Sequence, residues 1–323
     1  MILFQFSRNL SYLMITYLAK RILHSIPVIW GVLTISFIIS YLIPGDPVLA
    51  LVGDFYDEET LNQLREELGL NQSILTQYFI YLKSTLSGNL GISFQTKSPV
   101  SSLILEKLEI TFILAFSATL FASIIGIFFG LISAIKFHGT FDRLFILLSL
   151  VGISVPVFWV ALLLIFFIGV EWKLLPPTGY GSWIFYILPV IALSTRSLAM
   201  IARNTRAFML DILKKDYIRT AKAKGLSKKI ILFKHGLKNL LVPIITIIAH
   251  DFGNYLSGTV LTESIFGLPG IGRMLLNAIM QRDFPVIQGT ILFMALSFVF
   301  INIFVDLIYG WINPKIREEF IHG

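Results

Sequence analysis

Long uncharged stretches alternate with short polar ones along this chain. Four of them, at 22–43, 110–135, 144–170 and 284–305, exceed the roughly 20 helical residues needed to cross about 30 Å of hydrocarbon. Two further stretches, 184–202 and 239–262, are interrupted by Arg196 and by His250–Asp251, so they cross only if those groups face protein or water. None of the six shows period-two alternation, and lipid offers the backbone no hydrogen-bond partners, so the spans are predicted to be helices. The expected fold is an all-α integral membrane bundle of six transmembrane helices, with an ordered external insert after the first. Gly152-Ile-Ser-Val-Pro156 predicts a kink in the third span.

Between the first and second spans, DEETLNQLREELG places Leu61, Leu64 and Leu68 on one helical face, with Asp57 to cap the start and Gly69 the end. A second amphipathic run, Ile74, Leu75, Tyr78, Phe79, Leu82 and Leu86, stops near Gly88. Its apolar face suits the membrane surface or the mouth of the bundle, and equally a platform for an external partner.

Composition agrees with a chain whose solvent is lipid: 56% of the 323 residues are hydrophobic, 14% are charged, and mean hydropathy is +0.81. Charge then sets orientation. Arg203, Arg206, Lys214, Lys215, Arg219, Lys222, Lys224, Lys228, Lys229, Lys234 and Lys238 follow the fourth span, against Asp211 and Asp216 alone. Such a segment stays cytoplasmic. Six spans then place both termini inside, together with the Lys136–Arg143 turn. Residues 44–107, rich in Asp and Glu, fall outside. The absence of cysteine decides nothing about compartment. The first span is too long for a signal-peptide core of roughly 7–15 residues and is expected to remain as an anchor. Met1–Leu13 is either an amphipathic surface segment or precedes a true start at Met14.

Positive charge alone is a topology signal, yet DYIRTAKAKG also concentrates small residues. Ala221, Ala223 and Gly225 remove bulk over about one and a half turns, with Tyr217, Ile218 and Ala221 as a weak apolar stripe. A short helix of low profile suits a groove on another protein. Gly225 can then stop the helix, and Ile230, Ile231 and Leu237 begin a new amphipathic run toward Pro243.

The residues now resemble a family. They are Ile43-Pro44-Gly45-Asp46-Pro47, Gly88-Asn89-Leu90-Gly91 with Ser93, Leu175-Pro176-Pro177-Thr178-Gly179, and Tyr217 to Leu226. The pattern continues with Glu263-Ser-Ile-Phe-Gly-Leu-Pro-Gly-Ile-Gly272, Arg282-Asp283-Phe284-Pro285 and Asn313-Pro314-Lys315-Ile316-Arg317. As a set, spread over nearly the whole chain after Met14, they resemble the permease subunits of binding-protein-dependent ABC importers, in the dipeptide, oligopeptide and nickel branch. The wider family's coupling motif reads E-A-A, three residues, G, nine residues, I-x-L-P. Aligned on Gly225, only Ala221 matches E-A-A; Leu237 is kept and the proline is displaced to Pro243, a departure that resembles the peptide and nickel variant. The resemblance implies that Tyr217, Ile218, Arg219, Thr220, Ala221, Lys222, Ala223, Lys224, Gly225 and Leu226 form a coupling helix seated in an ATPase subunit.

No G-x-x-x-x-G-K-[ST] loop occurs here, so the chain lacks the cradle that holds ATP phosphates in such motors. ATP and magnesium are therefore expected in partner ATPase subunits, with no cofactor, metal site or catalytic residue in this chain. GLPGIGR lacks the lysine and preceding strand of a phosphate loop and reads as a tight re-entrant turn or docking surface. Glu263, Gly267, Pro269, Gly270 and Gly272 are the candidate external gate. Arg196, His250, Asp251 and Asp306 lie in or beside spans, where ionisable groups usually face the bundle interior. Arg196 and Asp306 can simply snorkel or pair near helix ends. Asp251, with Asn254, Ser257 and Arg196, is the candidate translocation path, with an internal structural pair as the alternative reading. Thr259 belongs to the same polar stretch.

The expected layout is an interfacial segment 1–19, a first helix 20–43, an external insert 44–107, a core 108–315 and a tail 316–323. Core helices fall at about 108–135, 144–170, 184–202, 239–262 and 286–312, with the coupling loop at 203–238. A secondary transporter would need no cytoplasmic plug, and the chain shows no clear internal repeat. An intramembrane enzyme would need a G-x-S-x-G or H-E-x-x-H constellation, and neither is present. A plain scaffold leaves the coupling segment unexplained. The resemblance implies a second homologous permease, two ATPase subunits, an extracytoplasmic binding protein and membrane lipid as partners, with no nucleic acid, in a bacterial or archaeal cytoplasmic membrane. Short peptides are the expected cargo, nickel or a metal chelate the alternative.

Overall fold

The computed structural model describes residues 2–42, 48, 58–67, 69–227, 230–256 and 259–312. Every element among them is helical. Four helices are individually long and apolar enough to cross a bilayer, and two bent pairs raise the number to as many as six.

Helix α1 (Ile2–Leu42) carries a span at Ile22–Ile39 whose Trp30, Ile35 and Ile38 point away from protein, as a lipid-facing surface requires. The insert contributes α2 (Glu58–Glu67), with Leu61 buried, and α3 (Ile74–Leu86). Asp57 and Leu68 lie outside the described residues. Gly69 adopts a left-handed φ of 67°, with bonds from Gly69 N to Glu66 O and from Leu70 N to Arg65 O ending α2. Ser73 caps α3 by accepting from Thr76 N at 3.3 Å. Tyr78 ties α3 to the first span through its hydroxyl and Thr34 Oγ1, 2.7 Å apart.

The centre of the bundle is the pair α4 (Val100–Ile135) and α7 (Ile184–Leu213), packed along much of their length. The spacing Gly126-x-x-x-Gly130 makes this approach possible. A Cβ on Gly130 would lie 2.4 Å from Ala202 O and 2.7 Å from Thr205 Cβ, and one on Gly126 would lie 3.0 Å from Leu198 O. The stretch expected as the third span forms α5 (Thr140–Ser154) and α6 (Val157–Leu164), continued by a π-helical turn, Ile165–Glu171. The two halves meet at 102° across Val155–Pro156, because proline cannot donate to the preceding turn. The expected kink is therefore a full break.

Helix α7 alters the expected layout. It does not end near 202; its amphipathic register runs three turns further, so Arg203 and Arg206 lie on a helix and not in the 203–238 loop. The loop contains α8 (Asp216–Ala223) and a π-helical segment, Ile231–Leu237, that feeds α9 (Lys238–Leu256). Beyond α9 come α10 (Val260–Phe266), α11 (Ile271–Gln281) and the final span α12 (Phe284–Ile312).

Candidate coupling, pathway and gate sites

Helix α8 is two residues removed from α7. Its termination is a Schellman motif: Gly225 N donates to Lys222 O at 3.0 Å, Leu226 N donates to Ala221 O at 3.3 Å, and Gly225 holds φ +76°. Leu226 folds back onto Ala221 and Ile218, the apolar contact that accompanies this cap. One expectation is corrected here. Of the apolar stripe only Tyr217 faces outward, because Ile218 and Ala221 are buried against Ile212, Leu213 and Ile231 of the same chain. The outward surface consists of Asp216, Tyr217, Arg219, Thr220, Lys222, Ala223, Lys224 and Gly225, with Asp216 paired to Arg219. A Cβ on Gly225 would meet nothing within 4 Å, so the bare surface there is shaped by φ and not by crowding within this chain.

The candidate path residues divide. Arg196 on α7 and His250 and Asn254 on α9 are exposed, and His250 Nδ1 and Asn254 Nδ2 are 3.0 Å apart. Arg196 is not near a helix end; it sits mid-helix. Asp251 is half-buried beside Ser197, and its Oδ2 is buried without a hydrogen-bond partner. Its charge interacts with Arg196 and His250. Sequence reasoning missed Tyr255, whose hydroxyl bonds Ser197 Oγ and donates to Leu193 O at 2.9 Å, fastening α9 to α7 beside the cluster. Ser257 lies outside the described residues, as does the side chain of Asp306.

The external motif is a folded hairpin around a carboxylate. Glu263 is fully buried, so in this conformation it presents nothing to a docking partner. Thr111 Oγ1 and Thr259 Oγ1 donate to its Oε1 at 2.7 and 2.8 Å, and Arg273 N donates to Oε2 at 3.0 Å. Thr111 Oγ1 in turn accepts from Ile271 N at 2.9 Å. The glycines follow from this carboxylate. A Cβ on Gly270 would lie 2.4 Å from Glu263 Cδ, and one on Gly272 would lie 2.7 Å from Val260 Cα. Gly267, at φ +74°, ends α10 with the same pair of bonds that ends α8. Pro269 lines a solvent-open cleft with Arg273, Asn277, Gln95 and Lys107. The Leu175–Gly179 motif joins the hairpin through Gly179 N, which donates to Phe266 O at 3.0 Å.

Asp283, also missed as a site, accepts from Ser93 Oγ, from Phe94 N at 3.1 Å and from Gln95 N at 3.3 Å. It pins the insert's 93–95 turn to the start of α12. On the opposite side of the bundle, Asp142 is buried and accepts from Arg206 Nε at 2.6 Å and Nη2 at 2.8 Å.

A helical chain with apolar spans, a short basic helix outside them and a glycine-rich hairpin at the other end is consistent with a membrane permease. The family model for the binding-protein-dependent transport system inner membrane component matches residues 126–318, and its N-terminal counterpart matches 14–115. The chain belongs to that family and is a permease subunit. It is 40% identical, over 94% of its length and the whole of the relative, to the dipeptide transport system permease protein DppB of Alkalihalophilus pseudofirmus. It is 38% identical, over 95% of its length and the whole of each relative, to the glutathione transport system permease protein GsiC of Pectobacterium atrosepticum and of Escherichia coli.

Proposed function

We propose that this chain forms half of the translocation pathway of an ATP-driven importer of short peptides, with α8 as the seat of a partner ATPase. The observation that carries the reading is α8 itself: a short helix outside the spans, fixed from beneath by Ile218 and Ala221, whose free face is basic and small. A membrane-buried helix face bearing Arg196, His250 and Asn254 is not stable against hydrocarbon. A second homologous permease and a wet path between the two chains would cover it. Peptide cargo is favoured by the names of the relatives, DppB for dipeptides and GsiC for glutathione. A peptide carries an ammonium and a carboxylate, and Asp251 and Arg196 offer the opposite charges.

In this reading six spans put α8 and both termini in the cytoplasm and residues 44–107 outside, where an extracytoplasmic binding protein delivers cargo. Two ATPase subunits carry ATP and magnesium. The chain contains no cysteine, so single-cysteine variants need no background removal. Thr220→Cys is expected to be labelled from the cytoplasmic side only and to cross-link to the ATPase. Labelling from the external side would overturn the orientation, and a cytoplasmic site that never cross-links would overturn the seat.

A further inference from the structure

The carboxylate of Asp142 is saturated. Besides the two bonds from Arg206, Ser133 Oγ donates to Oδ1 and His138 N donates to Oδ2 at 3.0 Å. The Arg206 guanidinium also lies over the Phe137 ring, 5.4 Å from its centroid. Burying such a pair gains little stability, because desolvation of the two charges offsets most of their attraction. What it does fix is geometry: a bidentate fork admits one register between the elements that bear it.

Those elements are the first turn of α5, joined to the α4–α5 turn through His138, and the lower part of α7. Above the pair, Gly126 and Gly130 already hold α4 against α7 with no room for a Cβ. Below it, α7 leads through Lys214–Lys215 directly into α8. Met209, buried on the same stretch, stands where a Cβ on Gly236 would come within 3.1 Å. A displacement of α8 therefore cannot dissipate by hinging α7 near residue 206. The helical geometry does break at Lys214–Lys215, but Ile218 and Ala221 pack on Ile212 and Leu213 across that junction; the other breaks lie further off, at Pro156 and in the two π-helical segments.

We infer that Asp142 and Arg206 are positioning residues that clamp the cytoplasmic end of α7 to the α4–α5 turn, so that movement of α8 reaches the Arg196–Asp251 region as a rigid displacement. The inference rests on the importer reading, and it concerns transmission and not nucleotide or cargo binding. Without the clamp, α8 can rock in the ATPase while α4 and α7 stay where they are.

The test uses the whole complex reconstituted in proteoliposomes with its ATPase subunits and binding protein, comparing wild type, Arg206→Ala and Arg206→Lys. Four quantities are measured: assembled complex, thermal stability, basal ATP hydrolysis, and binding-protein-stimulated hydrolysis with the cargo moved per ATP. A clamp predicts that Arg206→Ala keeps basal hydrolysis per assembled complex but loses stimulation and cargo per ATP by about tenfold, within the usual range of coupling free energies. Arg206→Lys, which keeps the charge and loses the fork, falls between. A purely structural pair would lower the amount of complex and leave cargo per ATP at the wild-type value, and that result overturns the inference. Should Arg206→Ala fail to assemble, the lysine variant is read by the same ratio. Absence of ATP-driven uptake in the wild-type complex would strike the importer reading, whereas an unchanged ratio in the variants strikes the clamp alone.

Discussion

Glycines here do different jobs at different residues, and substitutions separate them. At Gly270 the obstacle is Glu263 Cδ, 2.4 Å from an added Cβ. Gly270→Ala is therefore expected to displace the carboxylate and destabilise the hairpin by about 1–3 kcal/mol, the range for leaving a buried polar group unpaired, measured as a lowered midpoint of thermal unfolding. At Gly225 there is open space and a φ of +76°. Gly225→Val is expected to abolish ATP-driven uptake while the permease stays in the membrane. Gly225→Asn, which tolerates the left-handed region, is expected to retain more of the α8 fold, read as protection of the 216–226 backbone from hydrogen exchange. The two glycines were equally visible in the sequence, but only the Gly225 stop could be read locally. The partners of Glu263 include Thr111, 152 residues away, and no local pattern announces such a pairing.

At the scale of elements, periodicity and proline placed most of the helices, since those signals are local. The break at Pro156, the ends of α2 and α3, and the turn after α8 follow from it. Two features escaped. Positive charge marked 203–238 as a loop, but charge records the side of the membrane and not the backbone, and α7 continues to Leu213. The stripe of Ile218 and Ala221 was visible, but amphipathicity does not say whether a face meets its own chain or another, and here it meets its own. Motifs 190 residues apart in sequence also meet, through Ser93 and Asp283. Asp283→Ala leaves that hydroxyl and the Phe94 and Gln95 amides without their acceptor, and is expected to free the 89–99 turn. Faster cleavage there by an externally added protease, with α12 still protected, is the result to look for.

For the whole molecule, the proposed reading makes the arrangement a transmission with its ends on opposite sides of one helix pair. A basic helix sits at one end, a carboxylate-centred hairpin at the other, and a polar cluster of Arg196, His250, Asp251 and Asn254 lies between. The cluster residues were individually legible, because ionisable groups stand out in apolar runs. The common exposure of Arg196, His250 and Asn254 was not, since it depends on how α7 and α9 rotate against each other. The exposed polar face predicts that the isolated chain, without a second permease, is degraded or aggregated in the membrane, a loss measurable by pulse-chase when the partner is omitted. In the proposed reading, motive power enters through α8 from other chains. Cargo uptake into proteoliposomes, measured with and without the ATPase subunits and ATP, tests it most directly. Uptake only when both are present is the predicted result, and accumulation of cargo by the permease pair alone would contradict it.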